Sequence, residues 1–334
     1  MTAPYVLGVD GGDTKTVALV AGSDGTVLGA ARSRGSDIYS YPDPIDAVAV
    51  LADVTAGALA EAGLTPEALD SAVFCLGGAD WPEDIELLDE HLRRFLPDGC
   101  DLEILHDSQG HLWAGHPSGV GVAVAFGTGL AIGARNEDGR TWSSTNWVEL
   151  SGSTGLGQDG LQAVFRAHLG VGAPTVLSEQ LPRRLGVDSV DELSHQLTNR
   201  LTLGKSHASL ATFGPVVLDA AAAGDPVAEA IVARHVHLVA EYVRAAAALV
   251  GLEQPFPVSV GGGPTRHEAQ AVLTGLRDAL APSATVRLST REPAAGALVK
   301  ALSATRGGIS ADVLAQVDET TPGTDFFATL AVAS

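Results

Sequence analysis

The sequence predicts an α/β protein built from two domains, and three observations support this prediction. Its 334 residues are enough for two domains of ordinary size. Apolar runs of strand length alternate with amphipathic helical segments, so residues 5–105 read β-β-β-α-β-α-β. A β-hairpin with a Gly/Thr turn occurs twice, each time followed by an Asp-Gly turn, and this weak internal repeat is consistent with duplicated domains.

The composition excludes several classes of protein. The chain is 46% hydrophobic and 18% charged, so it can bury a sizeable core and is not intrinsically disordered. Its net charge of -20 argues against binding to nucleic acid or to an anionic membrane surface. No apolar run approaches membrane-spanning length, and no basic-then-apolar segment marks a signal peptide. Cys75 and Cys100 lack metal-ligand spacing, so we expect reduced thiols in a cytoplasmic protein.

The first element is a hairpin whose turn is suited to holding phosphate. Apolar runs at 5–9 and 17–20 flank the turn Asp10-Gly11-Gly12-Asp13-Thr14-Lys15-Thr16. The glycines let backbone amides approach a ligand, the threonines add hydroxyls, Lys15 adds a cation, and Asp10 can face a metal ion. The turn lacks the Walker pattern, and a strand follows it where a dinucleotide fingerprint needs a helix. An ordinary Asp-Gly hairpin is the alternative interpretation.

The rest of the first half alternates strands and helices. A third strand at 27–32 completes a meander, and the following segments are a helix at 44–62, a buried strand at 69–76, a helix at 82–95 and a strand at 102–105. Asp107 follows the last strand and opens a helical stretch. From its position alone, Asp107 is either a helix N-cap or a functional carboxylate.

The second half repeats the opening theme and then becomes helical. Strands at 121–126 and 130–136 flank the turn Gly127-Thr128-Gly129. Helices are predicted at 160–169, 175–185, 190–200, 210–223 and 226–250, the last with a first-turn proline. A strand at 256–260 leads into Gly261-Gly262-Gly263, and a helix at 268–280, a strand at 285–288 and a helix at 293–304 follow. The tail, residues 307–334, has no predicted placement.

Taken in this order and spacing, the three glycine-rich turns resemble the phosphate-1, phosphate-2 and adenosine motifs of the actin-like ATPase superfamily. More narrowly, the chain resembles the BadF/BadG/BcrA/BcrD group, which includes N-acetylglucosamine kinase. Supporting matches extend nearly from end to end: Leu76-Gly77-Gly78-Ala79-Asp80, His106-Asp107-Ser108, Ala222-Ala223-Gly224-Asp225-Pro226 and Glu292-Pro293-Ala294-Ala295-Gly296-Ala297.

The resemblance implies a fold of two ribonuclease-H-like domains around an interdomain cleft that holds ATP. The expected domains are residues 1–112, residues 113–306 with helical insertions, and the tail at 307–334. We expect the helix at 293–304 to pack back on the amino-terminal domain.

The resemblance also implies roles for individual residues. Asp107 is the expected catalytic base, and Asp10 is expected to hold Mg²⁺ through water, because Mg²⁺ keeps part of its hydration shell. The expected ATP-phosphate ligands are Gly11, Gly12, Asp13, Thr14, Lys15, Gly127, Thr128 and Gly129, with Gly261, Gly262 and Gly263 against adenosine. The expected substrate contacts are Ser36, Asp37, Asp107, Asn146, Trp147 and Ser153.

The chain departs from the family pattern mainly where the sugar is expected. Ser153 and Thr154 stand where relatives carry two acids, and Asp37 stands where they present an Asn. His106 replaces the usual Asn before the base. Asp13 replaces a usual Gly, and it either helps to hold Mg²⁺ or weakens ATP binding.

We therefore expect an ATP-dependent kinase that phosphorylates a hydroxyl of a sugar-like substrate: N-acetylglucosamine, glucosamine, or a related amino sugar or cyclitol. We expect a homodimer with no nucleic-acid or membrane partner. A catalytically degenerate sugar- or nucleotide-binding protein of the same fold is the alternative. A radical-dehydratase activator is disfavoured because Cys75 and Cys100 lack a cluster-binding context, and a DNA-binding regulator is disfavoured because the phosphate hairpin begins at once.

Overall fold

A computed structural model describes residues 4–145, 152–200 and 206–327 of the chain, which form an α/β structure with two five-stranded sheets. The strands are β1 Tyr5–Gly11, β2 Thr16–Gly22, β3 Val27–Ser33, β4 Leu69–Leu76, β5 Asp101–His106, β6 Gly121–Phe126, β7 Leu130–Arg135, β8 Thr141–Ser143, β9 Phe256–Gly261 and β10 Ala284–Leu288. The α-helices are α1 Pro44–Glu61, α2 Pro82–Leu92, α3 Asp107–Gly115, α4 Gly152–His168, α5 Leu177–Arg184, α6 Val190–Thr198, α7 Ser206–Ala222, α8 Pro226–Val250, α9 Gly263–Arg266, α10 Ala271–Leu280, α11 Pro293–Arg306, α12 Ala311–Thr320 and α13 Thr324–Phe327.

The two sheets share one strand order. The first runs β3-β2-β1-β4-β5 and the second runs β8-β7-β6-β9-β10, so each begins with a central strand, adds a hairpin on one side and continues with later strands on the other. In the first sheet, β1 pairs antiparallel with β2 and parallel with β4. The common order agrees with the internal repeat seen in the sequence.

Local sequence signals explain where the longer helices begin and end. Asp43 caps α1 by accepting a hydrogen bond from the Ile45 amide, and Pro44 occupies the first helical position. Asp225 caps α8 in the same way, and α8 ends at Gly251, which adopts a left-handed conformation with φ of 77°. These polar and glycine signals are the reason that α8 follows its predicted bounds.

Helix α11 covers one face of the first sheet. Val6, Leu19 and Val73 of the sheet and Leu298 of the helix are all buried in one core cluster. The helix approaches β1 so closely at Gly8 that a Cβ there would collide with the backbone of Leu298. Glycine at this position therefore sets how near the helix can come.

The chain divides into two compact units. Unit 1 comprises the described residues of Met1–Ala123, Gly133–Ser143 and Ser289–Ser334, and unit 2 those of Val124–Ile132 and Ser144–Leu288. This division groups residues 113–123, 133–143 and the carboxyl-terminal segment with the amino-terminal residues, whereas the expected boundary lay at residue 112. The tail contributes α12 and α13 to unit 1, where the Val27 amide donates a hydrogen bond to Thr320.

The structure differs most clearly from the predicted elements in three places. Helix α4 begins at Gly152 instead of residue 160, because amides of its first turn bond to carbonyls of the preceding hairpin. The helix predicted at 268–280 is α10, which begins at Ala271 after Gln270, whose φ is 51°, and the short helix α9 before it was not predicted. The short strand β8 was not predicted. No helix within the described residues has the length and apolar character needed to cross a membrane.

Candidate active site

The first hairpin, residues 10–16 between β1 and β2, is held by backbone hydrogen bonds from three segments. The Gly12 amide donates to the Lys15 carbonyl at 3.0 Å and closes the turn. The Ser36 amide donates to the Gly12 carbonyl at 2.9 Å, and the Gly77 amide donates to the Gly11 carbonyl at 2.7 Å. Two predicted motifs, the turn and the Gly77-Gly78 strand end, are thus brought together in unit 1.

Side chains of the first hairpin are used to anchor it. The buried Thr16 hydroxyl donates to the Ser36 Oγ at 2.8 Å, so Ser36, predicted to contact substrate, supports the turn in this structure. Asp13 accepts a hydrogen bond of 2.6 Å from the Ser40 hydroxyl. The Lys15 ammonium donates to the Phe327 carbonyl at 2.5 Å, which directs it toward the tail. The roles predicted for Ser36, Asp13 and Lys15 toward ligands stay predictions.

The remaining turn residues are suited to backbone contact with a ligand. A Cβ added at Gly12 would meet no described atom within 4 Å, whereas one at Gly11 would collide with the Ser36 side chain. Gly11 is therefore required by packing, whereas Gly12 leaves open space beside the turn into which a ligand can fit. Thr14 is exposed beside it.

Asp10, the predicted magnesium ligand, lies near the end of β1. Burial, followed by the negative charge of Asp107, raises the pKa of Asp10 to about 7, and Glu292 adds to the shift while Lys15 opposes it. A buried carboxylate whose pKa is raised by neighbouring acids is a site where a cation is favourable. Mg²⁺ is usually held by one or two carboxylates with phosphate oxygens and water. Asp10, with Asp107 nearby, can supply such carboxylate ligands. The described residues hold no cluster of three His, Cys, Asp or Glu side chains arranged to bind a metal ion.

Asp107, the predicted base, is the first residue of α3 and follows β5 directly. Its Oδ1 lies 3.0 Å from Nδ1 of His106, whose Nε2 lies 3.2 Å from Oδ1 of Asp80. Burial would raise the pKa of Asp107, but the charge and hydrogen bond of His106 outweigh it and lower that pKa. Asp107 is therefore an ionised carboxylate, the form that can accept a proton.

Asp37, another predicted substrate contact, lies close to the same strand ends. Its side chain accepts a hydrogen bond of 2.9 Å from the Tyr39 amide, and a Cβ on Gly78 would come within 2.7 Å of its Oδ1. Burial, with Asp13, Asp107 and Asp80 nearby, raises the pKa of Asp37. Unit 1 thus gathers Asp10, Asp37 and Asp107 at the carboxyl ends of β1, β4 and β5.

The second hairpin, residues 127–129 between β6 and β7, is held by backbone groups. The Gly127 amide donates to the Gly129 carbonyl at 2.9 Å. Amides of Ser153 and Thr154, in the first turn of α4, donate to the carbonyls of Gly127 and Thr128 at 2.9 and 3.1 Å. Ser153 is buried, and Thr128 and Gly129 are exposed. The residues that replace the family's acids therefore hold the turn through their backbone.

The predicted adenosine motif lies beside the second hairpin. Gly261 ends β9, and Gly262 has a φ of 100°. A Cβ on Gly262 would collide with the Phe126 carbonyl, so glycine is required both by conformation and by this approach. Gly263 is exposed and begins α9. Unit 2 thus brings the phosphate-2 and adenosine motifs together.

Two of the predicted substrate residues, Asn146 and Trp147, lie outside the described residues. The sequence did not predict Asp80 or Ser143 as site residues, and it marked His106 only by its departure from the usual Asn. Ser108 Oγ lies 2.8 Å from His106 Nδ1 and 3.2 Å from Ser143 Oγ. The departure from Asn at position 106 was the available signal in the sequence.

Comparison with known protein families supports the resemblance drawn from the motifs. The family model for the BadF/BadG/BcrA/BcrD ATPase family matches residues 7–301. The chain is 25% identical over 320 residues to an N-acetyl-D-glucosamine kinase of Dictyostelium discoideum, covering 91% of this chain and 99% of that protein. It is 27% identical over 212 residues to an N-acetylmuramic acid/N-acetylglucosamine kinase of Clostridium acetobutylicum, covering 62% and 68% of the two chains.

Solved structures confirm the predicted fold class, α/β with two ribonuclease-H-like domains. An inferred N-acetylglucosamine kinase from Chromobacterium violaceum matches with a TM-score of 0.69 at 22% identity, covering 90% of this chain and 100% of that one. A ROK family glucokinase from Streptomyces griseus, solved with glucose and AMPPNP, matches with a TM-score of 0.57 at 17% identity, covering 91% and 100% of the two chains. At these identities the likeness concerns the fold.

Proposed function

The chain belongs to the BadF/BadG/BcrA/BcrD ATPase family, and on that premise we propose that it is an ATP-dependent sugar kinase. It transfers the γ-phosphoryl group of ATP to a hydroxyl of an amino sugar or cyclitol, with N-acetylglucosamine and glucosamine the first candidates. The two curated relatives are named as kinases of N-acetylglucosamine or N-acetylmuramic acid, which supports this substrate class.

The observation that carries the proposal is the pairing of a phosphate hairpin with an ionised carboxylate within unit 1. Gly12 leaves open space beside the turn, and Thr14 is exposed next to it. Asp107, at the start of α3, has a pKa below the usual range of an aspartate. Phosphoryl transfer needs positioning, charge neutralisation and a well-placed base more than covalent chemistry by the protein.

The step follows from these groups. Asp107 accepts the proton of the attacking hydroxyl as the new O–P bond forms and the bond to ADP breaks. Amides of the first hairpin and hydroxyls such as Thr14 orient the phosphates. Asp10 would hold Mg²⁺, and a bound Mg²⁺ would neutralise phosphate charge. The net charge of -20 makes such neutralisation necessary for a polyphosphate ligand.

We further propose that the enzyme acts in the cytoplasm as a homodimer on a small-molecule substrate, without nucleic-acid or membrane partners. Its net charge of -20 supports the last point, because phosphate backbones and anionic lipids repel such a surface.

The test is a coupled ADP-release screen over amino sugars, hexoses and cyclitols. Asp107→Asn should lower kcat by about 10²- to 10⁴-fold, because a positioned base contributes that much. Asp89→Asn, on the exposed face of α2, is the control and should retain turnover. Full activity in Asp107→Asn would disprove the assignment of the base.

The alternative is a catalytically degenerate binding protein, and the observation that favours it is Ser153 and Thr154 in place of the family's two acids. A sugar that raises the melting temperature without any turnover across the screen would support this alternative. Turnover of any sugar by the wild-type chain would exclude it.

A further inference from the structure

His106 lies between two carboxylates immediately beside the proposed base. Its Nδ1 is 3.0 Å from Asp107 Oδ1 and its Nε2 is 3.2 Å from Asp80 Oδ1. The His106 and Asp80 side chains are only 11% and 6% exposed. Both ring nitrogens therefore face an acid in a setting with little access to water.

This arrangement selects the doubly protonated imidazole. A neutral imidazole carries one N–H, so it can donate to only one carboxylate and would turn a lone pair toward the other. Burial alone would lower the pKa of His106, but the charges and hydrogen bonds of Asp107 and Asp80 outweigh it and raise that pKa to about 10. A cationic His106 lies at ion-pair distance from both acids, and it offsets the charge of Asp107 Oδ1, which is buried and accepts no hydrogen bond within the described residues.

A structural role competes with this one. In its neutral form, Nδ1 of His106 can accept a hydrogen bond from the Ser108 amide at 3.2 Å and cap α3. Asparagine is also a good N-cap, but it carries no charge. His106→Asn therefore keeps the cap and removes the cation, which separates the two roles.

We propose that His106, fixed by Asp80, is a positioning residue that holds one oxygen of Asp107 so that the other oxygen receives the proton of the substrate hydroxyl. This inference rests on the proposed kinase function. It explains how this chain, which has His106 where Asn is usual, orients its base: through an ion pair between His106 and Asp107.

The inference predicts a particular pH dependence. Asp107 must be ionised to accept a proton, and the neighbouring cation favours that form. The other titratable groups whose charges act with Asp107 are His111, Asp10, Asp37 and Cys75. Removing His106 leaves Asp107 among acids and a single histidine, so its protonation moves to higher pH.

The experiment compares His106→Asn and Asp80→Asn with His235→Asn. His235 is also buried and lies 2.7 Å from Asp159, in unit 2, so it is a matched histidine–aspartate control. We expect kcat of His106→Asn to fall by about tenfold or more with the KM for ATP unchanged, because part of the base's contribution depends on its position. The acid limb of its kcat/KM profile should move up by about 1 pH unit or more. Asp80→Asn should shift the same way by less, and His235→Asn should show neither effect.

An NMR titration of the His106 ring in the wild-type protein completes the test without turnover. We expect His106 to remain protonated at pH 8 and to lose its proton at lower pH in Asp80→Asn. A His106 that is neutral at pH 8, or a His106→Asn enzyme with wild-type kcat and acid limb, would overturn the inference and leave only a helix cap. A screen without turnover alongside a protonated His106 would count against the kinase function instead.

Discussion

Backbone hydrogen bonds hold both glycine hairpins of this molecule, and charged side chains anchor the first one as well. The first contains Asp10, Asp13 and Lys15, and its side chains bond to Ser40 and to the Phe327 carbonyl. The second has no charged residue between Phe126 and Leu130 and is held by backbone amides of α4. The first turn is therefore sensitive to side-chain charge, and the second to backbone geometry.

Two acids of unit 1 also differ from two acids of unit 2 in the direction of their pKa shifts. Burial raises the pKa values of Asp10 and Asp37 in unit 1. In unit 2, burial also opposes ionisation of Asp159 and Asp225, but hydrogen bonds from His235, Arg234 and backbone amides outweigh it and lower both pKa values. Raised pKa values are typical of functional sites, whereas the lowered pKa values of Asp159 and Asp225 reflect hydrogen bonds that contribute to stability. Asp107 differs from Asp10 and Asp37, because the charge of His106 lowers its pKa. Four substitutions test this contrast.

The largest effect on stability is expected from Gly262→Ala at the second hairpin. Alanine would have to adopt a φ of 100°, which is unfavourable for a residue with a Cβ, and that Cβ would collide with the Phe126 carbonyl. We expect a loss of about 2–4 kcal/mol in the free energy of unfolding, measured by urea denaturation. Gly170→Ala is the control, since Gly170 has a φ of 70° but no described atom within 4 Å of its added Cβ. Equal losses in both variants would show that the contact with the hairpin is unimportant.

Asp10→Asn should separate function from stability in the first hairpin. Magnesium-dependent turnover should fall by about a hundredfold or more. The free energy of unfolding should rise by about 1–3 kcal/mol at pH 8, because each pKa unit corresponds to about 1.4 kcal/mol and the carboxyl is partly exposed.

The sign of this pH effect follows from the raised pKa. Since the pKa of Asp10 is raised from 3.8 to about 7, stability from its protonated form is fully present below 3.8 and is lost as the pH rises through 7. The advantage of Asp10→Asn should therefore grow with pH in thermal melts. Asp101→Asn, at the exposed start of β5, is the control, and a constant advantage across pH would contradict the interpretation.

Lys15→Met tests whether the cation of the first hairpin serves the tail or the phosphates. Its ammonium donates to the Phe327 carbonyl and lies 5.9 Å from the Phe327 ring centroid. Losing both contacts should cost about 1–3 kcal/mol of stability. Arg32→Met is matched, because Arg32 donates to the neighbouring Phe326 carbonyl from outside the turn. A KM for ATP that rises only in Lys15→Met, without a stability loss, would assign Lys15 to phosphate.

Asp225→Asn should show the smallest effect, and only on stability. Asp225 accepts hydrogen bonds from the amides of Val227, Ala228 and Val176. These bonds lower the pKa of Asp225 in the folded protein. The ionised carboxylate therefore stabilises the fold above the pKa of the unfolded chain, and this stabilisation is lost as the pH falls through the folded pKa. We expect a loss of about 1–2 kcal/mol at neutral pH that shrinks in acid. Asp43 caps α1 through one described amide bond, so Asp43→Asn should lower the free energy of unfolding by less. Unequal kcat values of the two variants would contradict a purely structural role for Asp225.

Features encoded within a few residues were predictable from the sequence. The hairpins, the strand at 69–76 and the capped helix at 226–250 depend on local apolar periodicity and turn residues, and the structure reproduces them. The start of α4 was missed because Gly152 to Gly160 resembles a loop by composition, while its helical turn is stabilised by the hairpin carbonyls.

Contacts between distant segments could not be predicted in this way. Lys15 and Phe327 are 312 residues apart in the sequence, and the local sequence around neither residue predicts their contact. The pairing of Asp80 with His106 depends on β4 and β5 ending side by side. Site residues could be proposed from motifs, but their partners required the folded chain.

The position of α11 has a consequence for the order in which the protein is made. Residues 293–306 cover the face of β1 and β4 where Val6 and Val73 are buried, and they leave the ribosome after all of unit 2. Domains generally fold as their residues emerge, amino-terminal segments first. Here one apolar face of the amino-terminal sheet is not covered by α11 until all of unit 2 has been synthesised. The nascent chain therefore carries its greatest risk of aggregation late in translation, in the segment that was translated first.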